Sequence, residues 1–158
     1  MVAMTRHLER SPGLIVAVGS RACAIPLAHV VETMRPLPLE PIAGMPSFVL
    51  GLSVIRGVPT PVVDLAAVLG GSLTIAPTRF VVLRLGERVV ALAVDRVIGV
   101  RELDATRLQE MPPLLRSASA DAIEAIGTLD ARLLVALRAT RILTDETWDV
   151  LEANEGRP

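Results

Sequence analysis

The chain has 158 residues, enough for one domain or two very small ones. Its 16 basic and 17 acidic side chains leave a net charge of −1, and it holds no Tyr, one Trp and two Phe, so it has neither the positive field nor the aromatic platforms that nucleic-acid binding uses. Apolar residues make up 51% of the chain, which leaves Val, Leu, Ile and Ala to build the core. Cys23 is the only cysteine, so no intramolecular disulfide can form, and its neighbours Ala22 and Ala24 predict a small buried hydrophobe in a reducing compartment. Apolar runs are broken by Arg, Asp or Pro well short of the ~20 residues a membrane helix needs. Arg6, His7, Glu9 and Arg10 precede the first apolar run, which is not a signal-peptide pattern. The expectation is a cytoplasmic protein with no direct membrane insertion.

In chain order, residues 1–11 read as a flexible tail. Leu14–Val18 is an apolar strand, Gly19-Ser20 a two-residue turn whose first position needs positive φ, and the next strand runs through Ile25 to Leu27. A third strand carries Val30, Val31 and Glu32. Pro36, Pro38, Pro41 and Pro46 then break the chain, because proline lacks a backbone donor and cannot sit in a central strand. A second hairpin follows, Phe48–Ile55 and Val58–Val63 around an Arg56-Gly57 tip. Asp64 caps a short helix over Leu65–Leu69, and residues 70–78 form a joint.

The same series then recurs. Gly86-Glu87-Arg88 lies over Gly19-Ser20-Arg21 at an offset of 67 residues, placing Val81–Leu85 over Leu14–Val18, Leu92 over Ile25 and Val97-Ile98 over Val30-Val31. Pro112 and Pro113 break this copy in turn. Ile123–Leu129, Asp130-Ala131, Arg132–Leu137 and a helical stretch over Ala139–Leu143 repeat the second hairpin and its helix at an offset of 74. About five strands per copy predict two small closed barrels, one over about 14–70 and one over about 79–143, within a single domain spanning 12–151. Residues 144–154 read as a C-terminal amphipathic helix with Thr144 and Asp145 as cap candidates and Trp148 and Leu151 on its apolar face. Leu14–Val18, Phe80–Leu83 and Val89–Val94 are nearly unbroken apolar runs, which imply strands covered on both faces, the simplest cover being the sister copy.

The pieces Ala24-Ile25-Pro26-Leu27 with Val30-Val31-Glu32, Met45-Pro46 leading to Phe48-Val49-Leu50-Gly51, and Arg56-Gly57 with Pro61-Val62-Val63-Asp64-Leu65 occur in one order. Leu92-Ala93-Val94-Asp95-Arg96-Val97 and Gly127 continue that order. In sequence and spacing, from roughly Gly13 to Leu151, they resemble the CheW family of chemotaxis coupling proteins. The resemblance implies a mainly β fold of two intertwined five-stranded SH3-like barrels, with short helices, a C-terminal helix and the first strand crossing to the second barrel. It implies an adaptor that catalyses nothing and holds no cofactor or metal. Its partners would be the regulatory domain of a CheA-type histidine kinase, the cytoplasmic tip of a methyl-accepting chemoreceptor, and other CheW-like proteins.

Arg56, Gly57, Val54, Glu32, Met34 and Val31 are the candidate partner-binding residues. An arginine on a hairpin tip offers a planar, multi-donor contact to a carboxylate, against the plainer reading of a solvated turn residue. Glu32 is also what an exposed edge strand carries to discourage pairing, and Met34 is as much a core residue as a contact. Val54 stands where the family carries Asn, and Thr60, preceded by Pro59, stands where it carries Val; Pro59 predicts an edge or a bulge. These departures lie on the partner-binding motif and give a second expectation, a divergent member that binds receptor or array without recruiting kinase. A remote third is a small β-barrel hydrolase using Asp64 and Asp95. Against it, Asp64 reads as a helix cap and Asp95 as a turn former, and no cysteine, histidine or carboxylate cluster has metal-ligand spacing.

Overall fold

The computed structural model describes residues 11–71, 77–104, 107–109, 121–130 and 132–155. The expected N-terminal tail up to residue 10, most of the joint, and Pro112 and Pro113 lie outside the described residues. In chain order the elements are β1 (Ser11–Val18), β2 (Arg21–Pro26), β3 (Val30–Met34), β4 (Val49–Ile55), β5 (Val58–Asp64), α1 (Leu65–Val68), β6 (Arg79–Leu85), β7 (Arg88–Val94), β8 (Arg96–Leu103), β9 (Ile123–Leu129), β10 (Arg132–Leu137) and α2 (Asp145–Glu155). The helix expected over Ala139–Leu143 is a single 3₁₀ turn at Ala139–Arg141.

The strands form two five-stranded sheets, ordered β8-β1-β2-β10-β9 and β3-β6-β7-β5-β4. Substituting each strand by its counterpart in the other repeat converts one order into the other, so the duplication is a pseudo-twofold symmetry of the fold. Register obeys it as well. Ala24 pairs with Ala136 as Ala91 pairs with Val62, and Ile15 with Gly99 as Val82 with Glu32. The assignment of one barrel to about 14–70 and the other to about 79–143 is therefore corrected. Each repeat gives its first hairpin to the sheet holding the other repeat's last three strands, so a whole hairpin crosses, in both directions, and not one first strand. Hairpin pairing is local and leaves turn residues in the sequence, whereas β1 with β8 and β2 with β10 are long-range pairings that leave no local mark.

The turns follow the sequence. Gly19 and Gly86 have φ of 60° and 69°, the positive first position of a two-residue hairpin turn, while Arg56 at 50° and Gly57 at 79° are both positive, as a type I′ turn requires. Pro59 lies in β5, an interior strand of the sheet, but at its unpaired start on the β7 side, so it occupies a local edge as expected, with no bulge. It faces Val54, the pair next to the turn-closing Ile55–Val58 pair, and pairing of β5 with β7 begins only at Val62. In a two-residue hairpin that pair exchanges no ladder bonds, so a missing N–H costs nothing there.

Both faces of the unbroken apolar strands are covered. One face of each sheet joins a shared core, in which Val16, Cys23, Ile25 and Leu137 of one sheet meet Val63, Val81, Leu83 and Leu92 of the other. Two smaller clusters occupy the opposite faces, Phe80, Val82 and Val62 in one sheet and Ile15, Leu103 and Leu134 in the other. Polar ties reinforce the seam: Arg21 Nη1 donates to Leu69 O at 2.7 Å, Gly19 N to Asp95 Oδ2 at 2.6 Å and Asp95 N to Ala17 O at 3.1 Å. Helix α2 is capped by Thr144, whose Oγ1 accepts from Thr147 N at 3.1 Å, and it inserts Trp148 and Leu151 into the shared core.

Candidate functional site

The candidate site is built where the second sheet closes on itself. β3 and β4 are the two edges of that sheet, yet Arg56, on the turn leaving β4, reaches Glu32 on β3. Arg56 Nε donates to Glu32 Oε2 at 2.7 Å and Nη2 to Oε1 at 3.0 Å, a bidentate pair. The contact requires the sheet to be curled until its edges meet, which is how a short barrel removes exposed edges. The hydrogen bond and the charge of Arg56 hold the Glu32 carboxyl below its usual range, and Glu32 in turn raises the guanidinium. The pair is thus fully formed above the ordinary carboxylate range and is lost as pH falls through the lowered Glu32 value.

Three exposed valines lie on the elements that carry this pair. Val54 is 65% exposed and Val58 53%, at the end of the hairpin, and Val31 is 48% exposed on β3. Val31 has no partner in the β3–β6 register, because the ladder passes from Val30 to Glu32; it is the bulge residue, which turns its side chain out of the sheet. Gly57 completes the turn. Met34 is half-buried and packs against the Phe80 cluster, so it supports the site from inside. Of the six expected residues, the fold gathers Arg56, Gly57, Val54, Glu32 and Val31 along one seam. Val58 was not foreseen; an apolar residue directly after a two-residue turn is the signal that could have found it.

The carboxylates considered for catalysis are occupied structurally. Asp64 is 2% exposed and its Oδ1 accepts from Ala66 N at 3.0 Å and Ala67 N at 3.4 Å, capping α1 as expected. Asp95 is more than a turn former, since its Oδ2 ties the β1–β2 turn and its carbonyl accepts from Thr78 Oγ1. Its Oδ1 is buried with no hydrogen-bond partner among the described residues. The described residues contain no cluster of His, Cys, Asp or Glu able to hold a metal. Burial pushes the Cys23 thiol up to about 12, which suits a core residue and not a nucleophile. No helix among the described residues is long and apolar enough to cross a membrane.

Comparison with known proteins agrees with the fold. A model of the family described as the CheW-like domain matches residues 12–147. Among curated relatives, the chain is 28% identical over 141 residues to the chemotaxis protein CheW of Klebsiella aerogenes, covering 88% of this chain and 85% of that one. It is 32% identical over 120 residues to protein FrzA of Myxococcus xanthus, covering 72% and 74%. Among solved structures, the scaffolding protein TtCheW of Thermoanaerobacter tengcongensis superposes with a TM-score of 0.70 at 19% identity, over 82% of this chain and 89% of that one. At that identity the likeness speaks for the fold, two SH3-like barrels.

Proposed function

The chain belongs to the CheW-like domain family of chemotaxis coupling proteins, and on that premise we propose that it links the cytoplasmic tip of a methyl-accepting chemoreceptor to the regulatory domain of a CheA-type histidine kinase. In this reading it is a cytoplasmic scaffold that acts by contact and carries out no reaction. The observation that carries the reading is the seam of the second sheet, where the Arg56–Glu32 pair ties a hairpin tip carrying exposed Val54 and Val58 to a strand carrying exposed Val31. Scattered exposed aliphatics are ordinary, but here a bulged valine and two hairpin valines lie on the elements that carry one fixed guanidinium, apolar contacts offered with a polar anchor. A receptor helix or a sister barrel of the kinase presents the apolar complement, with a carboxylate for the part of Arg56 that Glu32 leaves open.

The core shared by the two sheets supports this role. A scaffold that holds two partners in fixed geometry must itself be one stiff body, and the exchanged hairpins make the halves inseparable. Signalling across such a bridge needs the two receptor states to contact it differently, since a partner indifferent to state shifts no equilibrium.

The test is calorimetric titration with a purified kinase regulatory domain and, separately, a receptor cytoplasmic fragment, for wild type, Arg56→Glu and the double variant Glu32→Arg with Arg56→Glu. Arg56→Glu should weaken binding with a nearly unchanged melting temperature, because the pair is exposed. Recovery in the double variant means the pair orients the tip; persistent loss means Arg56 itself meets the partner. Unaltered binding of both partners to Arg56→Glu contradicts the assignment, and receptor binding without kinase binding by the wild type identifies a divergent member that does not recruit kinase.

A further inference from the structure

The pseudo-twofold relation places a second seam on the first sheet, between its edge strand β8 and the β9–β10 turn. There the residue equivalent to Arg56 is Asp130, and the residue equivalent to Glu32 is Gly99. Gly99 has no side chain to bridge the edges, and a Cβ built on it would meet only Arg101 Nη1, at 3.6 Å. The seam that an ion pair closes in one barrel is therefore open in the other, and a cleft of about 510 Å³ occupies the gap. Val97 and Leu129 line its apolar part, and Arg96, Arg101, Arg132 and Asp130 line the rest. The counterparts of the three arginines are His29, Met34 and Val58, so the same scaffold presents a near-neutral apolar seam on one sheet and a cleft of net charge +2 on the other.

We infer that this cleft docks an acidic segment of a partner polypeptide, its carboxylates on Arg96, Arg101 and Arg132 and one apolar side chain on Val97 and Leu129. Charge complementarity selects the occupant. None of the three guanidinium groups makes an ion pair among the described residues, and three forks from two strands suit several carboxylates spread along a chain. A free small anion fits less well, because all three arginines are exposed; exposed pairs in water are individually weak and need several at once.

The experiment selects binders to the full chain from a random dodecapeptide display library. The enriched peptides are then measured by fluorescence anisotropy against wild type, Arg101→Glu with Arg132→Glu, and a control carrying Arg84→Glu and Arg79→Glu on the other sheet. Enrichment of Asp and Glu flanking an apolar residue, with affinity reduced by at least about tenfold in the cleft variant, little changed in the control and weakened by salt, is the expected result. Melting temperature confirms that each variant is folded. No acidic enrichment, equal loss in cleft and control variants, or displacement of the peptide by anionic vesicles or oligonucleotide as readily as by itself would overturn it.

Discussion

Cutting the chain between its repeats should leave two fragments that cannot fold apart and can fold together. Residues 1–74 hold β1 to β5 and residues 75–158 hold β6 to β10, so the pairings β1–β8, β2–β10, β3–β6 and β5–β7 all run between the fragments. In the first fragment alone, Leu14, Ile15, Val16, Val18 and Ile25 lose the sheet that buries them. Re-exposing five such side chains costs about 8–15 kcal/mol at roughly 1.5–3 kcal/mol each. That equals the whole net stability of an ordinary domain, about 5–15 kcal/mol. Each fragment produced alone should therefore show no cooperative melt and poorly dispersed amide resonances, while co-expression should give a 1:1 complex with the native spectrum. A cooperative melt with dispersed resonances from either fragment alone would refute the exchanged-hairpin core.

Asp64→Ala removes a buried cap with two N–H donors and should destabilise by about 1–3 kcal/mol in denaturant titration, with Asp64→Asn recovering part of the loss because its carbonyl oxygen can still accept. Cys23, with its thiol raised to about 12, should resist alkylation in the native state and react at the rate of unfolding. Because the folded value lies above the unfolded one of 9.0, stability should be unaffected by this group below that pH and fall as pH rises from there towards 12. Rapid native-state alkylation would refute the burial. Arg88 stacks on Trp148 at 5.1 Å and reaches Asp145 at 3.5 Å and Glu152 at 3.3 Å, all on α2. The two ion pairs are exposed but Arg88 is half-buried against the buried Trp148, so Arg88→Ala should cost about 1–2 kcal/mol and mainly loosen α2, seen as faster amide exchange there.

Local features of the fold are legible in the sequence, and long-range ones are not. Gly19-Ser20, Arg56-Gly57 and Gly86-Glu87 each sit between apolar runs and each forms the expected hairpin, and Asp64 before Leu65 caps the expected helix. The unbroken apolar runs of β1 and β7 disclose burial on two faces, because alternation disappears when both sides are covered. Which hairpin completes which sheet is hidden, since either assignment buries the same residues. Arg56 and Glu32 are individually visible as a tip cation and an edge anion, but their pairing depends on the sheet curling until its edges touch. The Gly99 cleft becomes readable only when the repeat is laid over itself and the missing partner of Asp130 is noticed. Pro59 is a legible edge signal even in a central strand, because its facing pair exchanges no ladder bonds and the other neighbour has not yet begun.

The most direct test of coupling is co-sedimentation of the kinase with receptor-bearing membranes as the chain is titrated in. Kinase should enter the pellet in proportion to this protein and leave it when Arg56→Glu is substituted, although that variant stays folded. Kinase sedimenting equally with and without the chain, or equally with wild type and Arg56→Glu, would contradict it.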